Sequence, residues 1–262
     1  MPFKPQISRY EAYFLRVQAS IIEPGTRGEE ILLSLQKCAR PPKLHDMISQ
    51  HPAKILQARD NEELKTMPAL FPIIDAALAD AATRSGDWLA CKPGCHQCCI
   101  GVFPISQLDA ANLRQGLTAA APDIAARIRS RAAASRERLT PDFPGDISTG
   151  LLFTEPHHEE IFEDFANEEP CPVLDPATGT CDLYAYRPAP CRTFGPPIRD
   201  EEGHFAVCEL CFVEAPQDEV IRCEMDQSWR GQEAELIVAA EQESGLDAPH
   251  PQLTLIAFAL KS

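Results

Sequence analysis

Residues 171–192 read CPVLDPATGTCDLYAYRPAPCR. Asp175-Pro176-Ala177-Thr178-Gly179 carries turn chemistry between two short apolar runs, so Cys171 and Cys181 are expected to flank a hairpin and to lie near each other in space. Ten residues beyond Cys181 comes Cys191, in a segment whose Pro188 and Pro190 restrict the backbone and help to hold a ligand in place.

Two further clusters lie to either side. Upstream, CKPGCHQCC places Cys91, Cys95, Cys98 and Cys99 within nine positions, and downstream CELC places Cys208 and Cys211 at a spacing that lets two sulfurs of one turn reach a single metal. Together these are nine thiols in three groups, where four would satisfy one tetrahedral ion. Adjacent residues point different ways from a helix or a strand, so one of Cys98 and Cys99 is expected to face a second centre, the core or a redox partner. Arg187 and Arg192 flank Cys191, and guanidinium groups stabilise the negative charge of gathered thiolates through charge-assisted hydrogen bonds. Cys38 and Cys223 stand apart and read as small packing residues.

Composition narrows what such a cluster can be. No stretch approaches the roughly 18 apolar residues of a membrane span, and the N-terminal MPFKPQISRYEAYF has no apolar core with a cleavage site. A cytoplasmic location is the expectation, and there thiols stay reduced and serve metals or catalysis more than disulfides. The eleven cysteines cannot all pair within one chain. A net charge of −15 repels a phosphate backbone, so nucleic acid is not expected as a partner, nor is a membrane; the partner is an unidentified protein or small molecule.

The surroundings read as helical. Ile31, Leu35 and Cys38 recur on one helix face before Pro41-Pro42, and a second helix is expected from Pro72 to a stop at Gly86. Ser106 and Asp109 form a capping box for a helix that Gly116 is expected to end. An Ala/Arg helix spans about Pro122 to Leu139, with Arg127, Arg129, Arg131, Arg136 and Arg138 on a solvated face. Residues 141–147, PDFPGDI, read as a loop. The acidic run from Glu155 to Glu169, with His157-His158, lacks the spacing of an H-E-x-x-H metal site. An amphipathic helix from Trp229 to Glu243 and a short apolar helix close the chain. The expected fold is mainly α with a few short β-strands (α+β), its loop-rich cysteine site packed among helices. Residues 1–87 form an N-terminal helical region, 88–225 the cysteine-cluster domain, and 226–262 C-terminal helices packed on it.

The order Cys91-x3-Cys95-x2-Cys98-Cys99, then Cys-Pro-Val-Leu-Asp, then Cys-Asp-Leu-Tyr-Ala-Tyr-Arg-Pro-Ala-Pro-Cys-Arg-Thr-Phe, resembles the bacterial CxxCxxCC family, also called the YkgJ-type cysteine cluster, over about residues 88–215. That resemblance implies a zinc- or iron-chelating domain in which Cys91, Cys95, Cys98, Cys99, Cys171, Cys181 and Cys191 chelate. Tyr184, Arg187 and Arg192 would be the motif residues supporting that cofactor site. Three residues rather than two separate Cys91 from Cys95, which makes Cys91 the ligand least firmly implied. Flagellin lysine methylases look like distant relatives, but no glycine-rich segment for S-adenosylmethionine in a Rossmann-type fold is present.

The function expected is metal binding, by an iron-sulfur cluster or by zinc. The thiol count exceeds one zinc site and no histidine sits at finger-like spacing, which favours iron-sulfur; the CxxC pairs Cys95/Cys98 and Cys208/Cys211 keep zinc open. Other readings are a redox or protein-modifying enzyme, or a thiol redox sensor or metal carrier with Cys98-Cys99 as its reactive pair. Cys91-x3-Cys95-x2-Cys98 also matches the spacing of radical S-adenosylmethionine enzymes, although Gln97 stands where those usually carry an aromatic and the chain after it lacks repeated strand-helix units. No Ser-His-Asp, P-loop or dinucleotide pattern assigns catalytic residues.

Overall fold

The computed structural model describes residues 67–153, 165–199, 205–243 and 251–261. The helix read around Cys38, the His157-His158 pair and most of the acidic run lie outside the described residues. Within them the chain is mainly helical with short antiparallel strands in small sheets, as the residue pattern implies.

Helix α1 (Met67–Ser85) starts five residues before the expected Pro72, which lies inside it. Proline lacks the N–H for one intrahelical bond, but Leu70, Phe71 and Ile74 bury almost completely and hold this first part of the helix against the core. The helix ends as expected, with Gly86 at φ +53.

Strand β1 (Pro104–Ser106) leads into α2 (Gln107–Ala119), and the capping box is present: Ser106 Oγ accepts the Asp109 N–H at 3.1 Å and donates to the Asp109 carboxylate at 3.0 Å. Gly116 does not stop this helix. A Cβ there would lie 2.5 Å from the Tyr186 ring, so the glycine admits a neighbouring side chain and the helix runs on to Ala119.

Helix α3 (Pro122–Leu139) has the expected bounds. Arg127, Arg129 and Arg138 are exposed as expected, while Arg131 and Arg136 are half-buried. Arg131 reaches the Pro172 carbonyl at 2.8 Å and the Asp182 carboxylate, Arg136 the Ala257 carbonyl at 2.7 Å, and Arg138 the Glu169 carboxylate at 2.6 and 2.9 Å. The alanine-lined face lets other segments come close enough for these long side chains to latch them.

The stretch read as a loop contains β2 (Gly145–Asp146), which pairs with β3 (Leu151–Leu152). The apolar C-terminal run divides into β8 (Leu253–Leu255) and α7 (Ile256–Ala259). Strand β8 takes a central place in the antiparallel order β1-β8-β3-β2, where pairing on both edges and burial of Thr254 and Leu255 outweigh helix propensity. Two two-stranded hairpins complete the strands, β4 (Leu174–Asp175) with β5 (Thr180–Cys181) and β6 (Ile198–Arg199) with β7 (Phe205–Ala206). Helices α4 (Ala189–Thr193), α5 (Gln217–Arg222) and α6 (Arg230–Glu243) lie between or after them.

One core joins α1 to Ala189, Ile198, Ala206, Met225 and Trp229. Another packs α2, α3 and α7 against Val173 and Leu183 of the first hairpin. The cysteine segments are thus held from two sides by apolar packing.

Candidate metal centre

The loop between α1 and β1 carries the first cysteines. Gly94 at φ +87 turns the chain, the Cys95 N–H donates to the Lys92 carbonyl at 2.9 Å, and Gln97–Cys99 close into one 3-10 turn. The loop then pairs with the segment entering the β4–β5 hairpin: the Cys171 N–H donates to the Cys99 carbonyl at 2.7 Å and the Gly101 N–H to the Glu169 carbonyl at 3.0 Å. The hairpin tip packs back on the same loop. Asp175 accepts the Ala177 N–H at 3.1 Å, Gly179 takes φ +68, and a Cβ on Gly179 would meet the Gly94 carbonyl oxygen at 2.9 Å.

This folding sorts the predicted thiols into two groups. The first contains Cys98, Cys99, Cys171, Cys181 and Cys191: Cys98 is hydrogen-bonded with Cys99, and each of the other four feels the charge of Cys98. A hydrogen bond from Cys99 stabilises the Cys98 thiolate and lowers that group to about 7 against the effect of burial; Arg187 and His96 also lower it. The same bond, with burial, pushes Cys99 up. Burial pushes Cys171 up to about 12, Cys181 up to about 11, and Cys191 well above the ordinary thiol range. Backbone N–H groups are aimed at these sulfurs, from Val173 and Leu174 to Cys171 and from Leu183 to Cys181.

Both members of the adjacent pair Cys98-Cys99 therefore belong to one group, contrary to the expectation that one would face elsewhere. Their segment is a single 3-10 turn and not a regular helix or strand. With α-carbons about 3.8 Å apart, rotation about each Cα–Cβ bond brings the sulfurs back together.

The second group holds Cys91, Cys208 and Cys211. Cys211 is hydrogen-bonded to both Cys208 and Cys91: the bond with Cys208 lowers it, but the bond with Cys91 and burial outweigh that and push it up to about 12. The bond with Cys211, then burial, pushes Cys208 up as well. Cys91 fits because residue 195 is glycine: a Cβ there would stand 2.8 Å from the Cys91 sulfur. The Cys208 N–H donates to the Gly195 carbonyl at 3.4 Å and the Phe212 N–H to Trp88 at 2.8 Å, which docks the CELC turn on the start of the first loop. Cys223 is fully buried in the same apolar cluster, in keeping with its reading as a packing residue. Cys95 is half-buried, and nothing among the described contacts places it in either group. As the side chains stand, no three histidine, cysteine or acidic groups among the described residues are arranged to hold a metal ion.

The arginines separate in role. Arg192 is buried and spends its donors on the Arg187 carbonyl at 3.0 Å, the Ala185 carbonyl at 2.8 Å and the Asp75 carboxylate, with its guanidinium 4.1 Å from the Phe71 ring centre. Arg187 reaches the other oxygen of Asp75 at 2.9 Å and lies 4.0 Å above the Tyr184 ring, which is exposed. Its charge bears on Cys98, Cys181 and Cys191, and its buried Nε has no hydrogen-bond partner. Of the three supporting residues named from the sequence, Arg187 thus faces the thiols, Tyr184 is its platform, and Arg192 ties the motif to α1.

Asp75 was missed by sequence reasoning. A lone carboxylate in an apolar helix gives no local signal, and only the fold sets it between two arginines. Gly195 was missed for the same reason. Asp109, already the capping residue, also accepts the Ala189 N–H at 3.0 Å and so positions the start of α4, the helix that carries Cys191.

No curated protein and no solved structure matched the chain. A family model, CxxCxxCC, described as "Putative zinc- or iron-chelating domain", matches residues 90–211, slightly under half of the 262 residues and inclusive of both thiol groups. Over residues 90–211 the chain is thus similar to the CxxCxxCC family of zinc- or iron-chelating domains.

Proposed function

We propose that this is a metal-binding protein in which Cys98, Cys99, Cys171, Cys181 and Cys191 hold an iron-sulfur cluster. The observation that carries this reading is the gathering of five half-buried thiols from three distant segments into one group. Desolvation raises the cost of ionising Cys171, Cys181 and Cys191, and a bound cation reverses that cost by ligating the thiolates. Four thiolates complete the protein ligation of a cubane cluster, so five exceed the need of either a cluster or a single zinc.

The surroundings fit an anionic thiolate-bound group. Backbone N–H groups point at Cys171 and Cys181, and such bonds stabilise sulfur charge and set cluster potential. Arg187 adds a positive charge beside three of the thiols and a buried Nε–H that lacks an acceptor. When bound, the cluster would supply one-electron chemistry or structural cross-linking. What the chain's own residues do is converge, exclude water and hold Arg187 in place through Asp75.

Anaerobic purification followed by iron, sulfide and zinc analysis and a visible spectrum tests the reading. Stoichiometric iron and sulfide with a brown colour lost in Cys181→Ser/Cys191→Ser is the expected result. A colourless protein with tightly bound zinc and no sulfide overturns the cluster and leaves zinc as the metal. A net charge of −15 supports keeping nucleic acid out of the list of partners.

A further inference from the structure

We infer that Cys91, Cys208 and Cys211 form a second metal centre, separate from the five-thiol group, that takes one soft divalent cation such as zinc. The inference builds on the proposed metal-binding role of the domain, and extends it from one centre to two.

Geometry favours a mononuclear ion here. Two thiolates on one tetrahedral zinc lie about 3.8 Å apart, given Zn–S bonds of about 2.3 Å. Cys208 and Cys211 lie in one buried cluster with Cys91 packed against it, and hydrogen bonding among the three thiols bears on both Cys208 and Cys211. Cys211 is the middle member, so an ion would draw Cys91 and Cys208 inward about it.

The chemistry of the pocket is also that of a thiolate centre. The Leu210 N–H is aimed at the Cys208 sulfur and the Ala90 N–H at the Cys211 sulfur, two donors that suit anionic sulfur. Trp88, Leu89, Phe194 and Phe205 pack around the group, so the sulfurs sit in an apolar setting that penalises free thiolates and selects a soft cation able to ligate them. Gly195 leaves the space that Cys91 occupies. Three protein thiolates leave one coordination position of a tetrahedral zinc for an exogenous ligand.

The loop of residues 91–99 thus serves both centres, with Cys91 at one end and Cys98-Cys99 at the other. Gln97, between them, hydrogen-bonds Glu209 inside the CELC turn and keeps the two ends in fixed relation.

The test uses the full chain, reduced, stripped with chelator and titrated anaerobically with cobalt, whose thiolate charge-transfer bands report ligation by sulfur. The wild type is expected to take two equivalents. Cys208→Ser/Cys211→Ser should lose one equivalent and retain the iron and sulfide of the untreated protein, and Cys181→Ser/Cys191→Ser should lose the iron and sulfide but keep the cobalt equivalent that depends on Cys208. Unchanged cobalt uptake in Cys208→Ser/Cys211→Ser, or loss of all metal in both double variants, overturns the second centre. Should the buried double variant fail to fold, Cys91→Ser at the half-buried ligand is expected to weaken one cobalt equivalent at least tenfold, and unchanged affinity overturns the inference. A wild type without iron or sulfide that still shows the Cys208-dependent equivalent would sink the five-thiol cluster while leaving this centre standing.

Discussion

The Cys99 carbonyl accepts the Cys171 amide N–H at 2.7 Å. The residue that closes the first cysteine loop is thereby fixed to the residue that opens the hairpin, and two arms 72 positions apart become one ligand-bearing surface.

The hairpin tip secures the other end of that surface. Gly179→Ala would place a methyl 2.9 Å from the Gly94 carbonyl oxygen at a φ of +68 that alanine disfavours. A loss of about 1–3 kcal/mol is expected from strain and overpacking, read as a lower denaturant midpoint, together with reduced metal content. An unchanged midpoint would show that the tip does not hold the loop.

Asp75 bridges Arg187 and Arg192, of which Arg192 is the more deeply buried. Breaking a fully buried pair costs about 3–5 kcal/mol, but the Asp75 side chain is 44% exposed and screened by water. Asp75→Ala is therefore expected to cost about 2 kcal/mol and to shift the visible spectrum or reduction potential of the bound metal through Arg187. Stability loss without any spectroscopic change would confine Asp75 to a structural role.

Much of this organisation was legible in the residues. Turn chemistry at Asp175–Gly179 located the hairpin, Ser106 and Asp109 announced the start of α2, and the cysteine spacing marked the site. Local signals failed where a distant partner decided the outcome. Gly116 reads as a helix stop until Tyr186 occupies its missing side chain, and Pro72 reads as a helix start until the burial of Leu70 and Phe71 carries the helix past it. The division of eight of the nine thiols between two groups was hidden for the same reason, since spacing along the chain does not tell which loops dock together.

In the metal-free, reduced protein, Cys98 is expected to alkylate first. Its group is lowered to about 7, so its thiolate fraction rises as pH passes from about 6 to 8, whereas Cys171 at about 12 and Cys181 at about 11 stay protonated throughout. Mass spectrometry after brief iodoacetamide treatment measures the order. Cys99→Ser should delay Cys98 modification to higher pH if the thiol of Cys99 is the better donor; equal labelling of all five thiols at pH 7 would contradict the arrangement.

Metal removal should loosen the protein unevenly. Ligand convergence stabilises loop-rich segments most, so hydrogen exchange after chelation is expected to rise in residues 91–101 and 171–192 and to stay low in α3, whose Ile128 and Ala132 are fully buried. A uniform rise across α3 would mean that the metal supports the whole fold and not the site alone.

The central place of β8 has a bearing on how the protein is made. Strand β1 pairs with β8 through Pro104–Leu255 and Ser106–Leu253, contacts that span about 150 positions. During synthesis every site cysteine leaves the ribosome before β8 exists, and pairings so distant in sequence form slowly. A nascent chain thus carries all nine site thiols before its sheet can close, so under the proposed metal binding the order in which loops are completed, and not affinity alone, is expected to bear on which ion is captured.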